Sequence, residues 1–241
     1  MKKNLLSVIS VVLLFLGAAC EKDADEIKAT ANITVINAAV GAGSVRVNPG
    51  AGSGFAYAKA SDLGYGSNSV YGAFRGINTV TVVSATDTTK ALFSRSVDLQ
   101  SINSLYIAGQ SPTVDTLFRA EKNLPYIQSS VLSPDSSVYI RFVNLSPNST
   151  PLNITIRAAA SNEVTALAYK GISDFKKYAS KTASTSYIFE VRDAATNTLR
   201  STLTFNATAN RYKTLSLIIR GLMGTTTGTD AFGIFQVNYF N

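Results

Sequence analysis

Few residues in this chain of 241 could do chemistry, because it has no histidine, no tryptophan and a single cysteine, Cys20. Without histidine, neither a Ser-His-Asp triad nor a Cys-His pair can form. One cysteine and no histidine also leave no thiolate or imidazole set for zinc and no intramolecular disulfide. Carboxylates are therefore the remaining route to catalysis, and a glycosidase needs two of them about 5–10 Å apart.

The carboxylates after residue 30 fall mostly in segments with turn residues, as Asp87, Asp135, Asp193 and Asp230 do. Nothing in their spacing brings two of them together. The sequence also lacks an Asp-x-Asp-x-Asp run, which would cluster oxygen ligands for calcium in one loop. We therefore expect no catalytic residue, no metal and no cofactor, and an enzyme is only a third hypothesis.

Cys20 has a different expected chemistry, which is acylation. Lys2 and Lys3 precede an apolar run that ends at Ala19 and is shorter than the roughly 20 residues of a membrane span. The end of this run, Leu16-Gly17-Ala18-Ala19-Cys20, resembles a bacterial lipobox, although Gly17 stands where leucine is usual. The alternative is an ordinary secretory signal, but that would leave a free thiol in an oxidising compartment, which is a liability.

We therefore predict a signal peptide over residues 1–19 and a lipid-anchored tether over residues 20–30. The tether contains Glu21-Lys22-Asp23-Ala24-Asp25-Glu26, which resembles the acidic sorting signals of some Gram-negative surface lipoproteins. A solvated spacer is the alternative. At about 3.3–3.6 Å per residue, the tether spans at most about 35–40 Å. The expected location is the outer membrane or the cell surface, with the acyl chains on Cys20 in the bilayer.

The charge pattern bears on the partners of the protein. The formal net charge is +7, but the basic residues are dispersed and accompany no nucleic-acid-binding motif, so no nucleic acid is expected. The densest basic group consists of Lys170, Lys176, Lys177 and Lys181. This group could favour anionic glycans or lipid headgroups, and a solvated strand face is the alternative.

The elements that must position these residues are β-strands. Segments rich in β-branched and aromatic residues, such as Ile33-Thr34-Val35-Ile36 and Tyr187-Ile188-Phe189-Glu190-Val191, are separated by turn formers such as Asn48-Pro49-Gly50. No stretch has the pattern of a long amphipathic helix. Many short strands at this spacing are typical of β-sandwiches and β-barrels.

The two halves of the chain resemble each other. Residues 33–38 align with residues 140–145, and residues 104–109 align with residues 216–221. Aromatic positions align as well, so that Phe74 corresponds to Tyr178. The sequence therefore predicts an all-β chain with two tandem β-sandwich domains of immunoglobulin-like type. The first is expected over residues 31–130 and the second over residues 131–241, each large enough to bury its own core.

The second half also resembles a known family. Its run Val138-Tyr139-Ile140-Arg141-Phe142-Val143-Asn144-Leu145-Ser146-Pro147-Asn148 is similar to the opening of the bacterial domain of unknown function 4397 family. A later element of that family is matched in the first half by Ser69-Val70-Tyr71, Gly76 and the strand that follows. The resemblance covers nearly all of residues 31–241 as tandem copies. It implies a secreted or surface-tethered β protein and carries over no catalytic residue.

Two sets of side chains are candidates for binding. Aromatic faces stack on sugar rings, so the candidate ligand-facing residues are Tyr65, Tyr71, Tyr169 and Tyr178, together with Lys176 and Lys177. Packing in the core or across strands is the alternative for these aromatic rings. Asn37 and Asn144, each directly after a strand, could line a groove, but asparagine at such a point commonly bonds nearby backbone and closes a turn.

Together these features predict a non-catalytic cell-envelope lipoprotein that presents two β-sandwich domains. Its role would be structural, adhesive or a protein interaction, with envelope proteins as partners. The alternative is a carbohydrate-binding surface lipoprotein that assists polysaccharide uptake. Glycan binding requires at least two of the four tyrosines to be exposed and coplanar on one face, whereas a structural role predicts that they are buried.

Overall fold

A computed structural model describes residues 28–52, 54–125, 136–180 and 184–239. Fifteen strands in four sheets make up the regular structure of these residues, and two three-residue 3-10 turns are their only helical elements. Among these residues, no helix is long and apolar enough to cross a membrane. The expected signal peptide, the lipidation site Cys20, most of the tether, the boundary at residue 130, Asp135 and Lys181 lie outside the described residues.

The first half contains seven strands. They are β1 (Thr30–Asn37), β2 (Val45–Asn48), β3 (Asn68–Phe74), β4 (Gly76–Ser84), β5 (Ala91–Leu99), β6 (Ile102–Gln110) and β7 (Thr113–Ala120). One sheet has the order β3-β1-β6-β7 and the other the order β2-β4-β5. β1 pairs antiparallel with β3 and parallel with β6. The two sheets enclose a core that includes Ile33, Val82 and Leu105.

The second half contains eight strands. They are β8 (Val138–Asn144), β9 (Leu152–Ile156), β10 (Asn162–Leu167), β11 (Lys176–Tyr178), β12 (Ser186–Asp193), β13 (Leu199–Asn206), β14 (Thr214–Arg220) and β15 (Gly233–Asn238). Their sheets have the orders β11-β8-β14-β15 and β10-β9-β12-β13. The first half is thus repeated strand for strand, with β10 added beside β9. The prediction of an all-β chain is confirmed, and the four sheets indicate two β-sandwich domains.

The ladders correct one part of the alignment between the halves. Ile33 and Ile140 correspond to each other, and they pair with Tyr71 and Lys176 respectively. The alignment that pairs Phe74 with Tyr178 is therefore wrong by one residue. Because successive side chains of a strand point to opposite faces, a one-residue shift reverses which side is buried. Phe74 is accordingly 54% exposed, whereas Tyr178 is 5% exposed.

The four strands that pair in parallel, β1, β6, β8 and β14, are buried on both faces. In β14, Leu217 faces the core of the second half, and Ile218 faces the first half. Alternate residues of the two halves thus join in an interface core, which consists of Ile36, Ala38, Tyr106, Ala108, Val143, Leu145, Ile218 and Val237. Strands buried on both faces have continuous apolar runs instead of alternation. This explains the run Leu215-Ser216-Leu217-Ile218-Ile219.

Candidate functional site

A buried ion pair lies beside the interface core and joins the two halves. Arg141, in the middle of β8, is only 1% exposed. Its Nη1 lies 2.9 Å from Oε2 of Glu121, and its Nη2 lies 2.5 Å from Oε1 of the same carboxylate. Glu121 directly follows β7, so the guanidinium of the second half binds a carboxylate of the first half in a bidentate manner. Such charge-assisted pairs are the stronger hydrogen bonds in proteins.

Four hydroxyl groups surround this ion pair. Arg141 Nη2 donates to the Oη atoms of Tyr106 at 2.8 Å and Tyr239 at 2.7 Å, and its Nε donates to Ser216 Oγ at 2.9 Å. Ser104 Oγ donates to Glu121 Oε1 at 2.7 Å. We refer to these residues as the interface polar cluster: Ser104, Tyr106, Glu121, Arg141, Ser216 and Tyr239. Buried charges that are paired and hydrogen-bonded in this way avoid the desolvation cost of an isolated ion.

Burial and neighbouring groups shift the pKa values of Arg141 and Tyr106. Burial disfavours the charged guanidinium, but Tyr106, Glu121 and Tyr239 together raise the pKa of Arg141 above its ordinary value. Burial also raises the pKa of Tyr106 well above its ordinary value. A general acid or base works best with a pKa near the working pH. The pKa values of the Arg141 guanidinium and the Tyr106 phenol both move away from that range.

The surrounding contacts are reciprocal between the halves. Tyr65 of the first half lies against Arg220, whose Cζ is 4.4 Å from the ring centre, and beside Gly221. Tyr169, the counterpart of Tyr65, lies beside Gly109, the counterpart of Gly221. Reciprocal contacts between equivalent surfaces are the pattern of an isologous dimer interface. Here both partners belong to one chain.

The two glycines of this contact have the same backbone conformation. Gly109 has a φ of +83° and Gly221 a φ of +85°, in the left-handed region that favours glycine. A Cβ at Gly109 would lie 2.8 Å from the carbonyl oxygen of Thr113, and one at Gly221 would overlap the backbone of Ala231. The shared glycine of the two halves thus has a steric cause.

The structure places none of the four candidate tyrosines on an exposed face. Tyr65 and Tyr169 are half-buried between the halves, and burial raises the pKa of Tyr169 to about 12. Tyr71 packs against the core of the first half. Tyr178 packs edge-on against Phe189, with ring centres 5.5 Å apart. These positions match the packing alternative, and the four rings do not form a coplanar surface for stacking on sugars.

The candidate lysines lie on the surface of the second half. Lys176 and Lys177 are exposed on β11, where Lys176 Nζ lies 3.4 Å from Glu163 Oε2. Lys170 turns towards the first half, and its Nζ lies 2.9 Å from Asp115 Oδ2. Carboxylates therefore offset the charges of Lys170 and Lys176, which weakens the case for an anion-binding patch.

The structural interpretation of the two asparagines is confirmed. Asn37 and Asn144 are fully buried. Asn37 Nδ2 donates to the carbonyl oxygen of Leu63, and Asn144 Nδ2 donates to that of Leu167, both at 3.1 Å. Leu63 and Leu167 are themselves equivalent in the two halves. Each amide thus ties the end of a central strand to the equivalent leucine of its own sandwich, which in the second half is the last residue of β10.

The carboxylates of Asp87 and Asp193, both at turns, accept hydrogen bonds from neighbouring residues. Asp87 accepts hydrogen bonds from the backbone and side chain of Thr89.

Among the described residues, no group of three or more carboxylates or sulfur ligands could hold a metal ion. A groove of about 770 Å³ is lined by residues 100–102 and 121–125. Glu121, the carboxylate in that lining, is bound to Arg141.

The hydrogen bonds of Asp193 lead to a prediction for the stability of the protein at low pH. Its carboxylate accepts hydrogen bonds from Thr150 Oγ1 at 2.6 Å and from the backbone of Ala195 and Thr196, which lower the pKa of Asp193 below its ordinary value. Because the pKa is lower in the folded state, this stabilisation is present above about pH 4 and is lost as the pH falls further. We expect the urea concentration at the midpoint of unfolding to fall as the pH is lowered below about 4. The fall should be less steep in Asp193→Asn.

The measurement is urea unfolding across a pH series. Asp87→Asn is the matched control. Hydrogen bonds from Thr89 also lower the pKa of Asp87, but this carboxylate lies in an exposed turn. Equal pH dependence in the natural chain and in Asp193→Asn would show that this turn does not contribute.

Comparison with models of protein families finds no match for this chain. Comparison with curated proteins finds no match either. The function must therefore be argued from the sequence and from the geometry of the interface.

Sequence reasoning did not find the interface polar cluster. The available signal was Arg141 itself, because a charged side chain among apolar neighbours in a strand requires a buried partner. The partner Glu121 belongs to the other half, and no local pattern connects the two residues. Only the packing of one sandwich against the other brings them together.

Proposed function

We propose that this chain is a non-enzymatic, lipid-anchored protein of the cell envelope that presents two β-sandwich domains as one rigid body. The observation that carries the proposal is the filled contact between the sandwiches. Ligands often bind at the interface between domains. In the described part of the chain, the interface core and the buried ion pair occupy that space. Loops and sheet edges are then the surfaces that remain for partners.

The fold supports the immunoglobulin-like assignment of each domain. Sheets of four and three strands are the count of a constant-type immunoglobulin domain, and the first half has this count. The second half repeats it with one added strand. We therefore retain two tandem domains, over residues 31–130 and 131–241, and the relationship to the domain of unknown function 4397 family as parts of the proposal.

The proposed partners are other envelope proteins, bound in a structural or adhesive role. Carbohydrate uptake would need exposed aromatic rings, and the positions of Tyr65, Tyr71, Tyr169 and Tyr178 do not favour it. The proposal includes no cofactor and no nucleic-acid partner. The proposed location is the outer membrane or the cell surface, with acyl chains on Cys20 in the bilayer.

Removal of Cys20 tests the anchor. We expect the full-length chain, expressed with its own leader in a Gram-negative host, to fractionate with the outer membrane and to incorporate an alkyne-labelled fatty acid. Cys20→Ala should abolish the labelling, because the chain contains no other cysteine. Without acyl chains, the hydrophobic contribution of each buried methylene is lost and the mature protein should leave the membrane fraction.

Asp62→Ala is the matched control, because it changes an exposed side chain far from the leader and should leave labelling and fractionation unchanged. Intact mass spectrometry reports the acylation state. An unacylated mature form of the natural chain in the culture medium would overturn the proposal.

A further inference from the structure

The large hydrophobic side chains that are most exposed among the described residues concentrate in one place. Val70, Phe74 and Ile77 belong to β3 or to the start of β4, and Leu199 is the fourth. Phe74 is 54% and Ile77 82% exposed. Phe74 and Ile77 flank Arg75 and Gly76, where the chain passes from one sheet of the first sandwich to the other. We refer to residues 74–77 as the apolar tip.

The apolar tip lies where the tether meets the folded body. Phe74 pairs with Thr30, the first residue of β1. The backbone N–H of Arg75 donates to the carbonyl oxygen of Ala29 at 2.8 Å, and its Nε donates to that of Thr30 at 3.2 Å. The tip is thus bonded directly to the last residues of the tether.

The length of the tether limits how far the apolar tip can lie from the membrane. Between Cys20 and Ala29 the chain can span at most about 32 Å at 3.6 Å per residue. The opposite end of the first sandwich, at the β4–β5 turn, is farther away by the length of β4. That strand has nine residues, or about 30 Å. An acylated Cys20 would therefore keep the apolar tip within about 32 Å of the bilayer, whereas the β4–β5 turn could lie up to about 30 Å farther away.

The backbone of the tip is fixed by hydrogen bonds. Asn78 Nδ2 donates to the carbonyl oxygens of Phe74 at 2.8 Å and Gly76 at 2.9 Å. Arg75 also bonds the side chain of Ser101. Gly76 has a φ of +98°, which glycine adopts without strain. Phe74 and Ile77 are therefore displayed by a preorganised corner.

We propose that the apolar tip docks on the bilayer that holds the lipid anchor. Phe74 and Ile77 enter the boundary between headgroups and acyl chains, and the exposed Arg75 faces the lipid phosphates. Apolar side chains next to a cation are the composition of interfacial membrane contacts. Asp98 pairs with Ile77 across the β4–β5 ladder and offsets part of the attraction of Arg75, so insertion of the two apolar side chains carries the docking. The proposal rests on the proposed acylation of Cys20.

A labelled cysteine tests the docking in the full-length protein. Once Cys20 is acylated, a cysteine introduced elsewhere is the sole free thiol of the mature chain. We compare Ile77→Cys with Ala91→Cys, an exposed position at the opposite end of the same sandwich. Each carries an environment-sensitive fluorophore and is measured in isolated membranes. Insertion by 5–10 Å should shift the Ile77→Cys emission to the blue and make aqueous iodide at least about threefold less effective there than at Ala91→Cys.

Intact mass spectrometry of the same samples separates the two proposals. Acylated protein in which iodide reaches both labels equally overturns the docking and leaves the anchor in place. Unacylated protein free of the membrane overturns the anchor and the docking with it. Adding Phe74→Ser to Ile77→Cys should restore quenching by iodide. A label that stays protected in this double variant would exclude Phe74 from the contact, and thermal unfolding of each variant checks that it is folded.

Discussion

Replacing Glu121 with alanine is expected to lower the free energy of unfolding by about 3–5 kcal/mol, because it leaves the buried guanidinium of Arg141 without its counter-ion. Arg141 is only 1% exposed, so its guanidinium is desolvated in the folded chain and depends on that carboxylate. Arg141→Ala should have a smaller effect, because Arg119 Nε still lies 3.5 Å from Oε2 of the Glu121 carboxylate. Urea unfolding, followed by far-UV circular dichroism, measures both variants.

The double variant separates the ion pair from the packing around it. Glu121→Ala with Arg141→Ala should be less destabilised than the sum of the two single alanine substitutions by at least about 1 kcal/mol, because neither charge is then left unpaired. Asp62→Ala is the matched control. It breaks the Arg46–Asp62 pair, in which Nε and Oδ1 are 2.6 Å apart and Asp62 is half-exposed. Such surface pairs contribute about 0–1 kcal/mol. Additive single effects would contradict the view that the pair acts as a unit.

Local patterns were sufficient to predict the strands. The β-branched residues of Ile33-Thr34-Val35-Ile36 and the glycine and proline of Asn48-Pro49-Gly50 act through local sterics, and these are visible in a single segment. The repeat was visible for the same reason, because both halves need the same residues at equivalent positions. Asn37 and Asn144 are the clearest case, since the side chain of each donates to backbone carbonyl oxygen in its own sandwich.

Features that depend on packing between the halves could not be predicted from local sequence patterns. Ile218 and Tyr106 resemble ordinary strand residues, and only a second sheet placed against them shows that they form an interface. The shift between Phe74 and Tyr178 has a similar cause. Two short aromatic segments can be aligned in either of two registers, and the ladder with β1 or β8 selects one. Whether each candidate tyrosine is exposed depends on the packing between the halves and on the register of its strand.

Substitution of Phe189 by alanine is expected to lower the free energy of unfolding by about 3–5 kcal/mol, which is typical of a large cavity in a well-packed core. Phe189 lies in β12, is fully buried, and has ring centres 5.2 Å from Phe142 and 5.5 Å from Tyr178. Phe142 belongs to β8, whose opposite face packs on the first domain. We therefore expect the loss to be transmitted across the interface core.

Hydrogen exchange resolves this transmission strand by strand. In Phe189→Ala, amides of β6 in the first domain should exchange faster together with those of β12, because β6 packs against β8 and β14 through Tyr106 and Ile218. Leu199→Ala is the matched control, since Leu199 is on the neighbouring strand β13 and 44% exposed. It should change stability by no more than about 0.5 kcal/mol. Faster exchange in β12 with unchanged exchange in β6 would mean that the domains unfold independently. The protein would then present two separate modules instead of one rigid body.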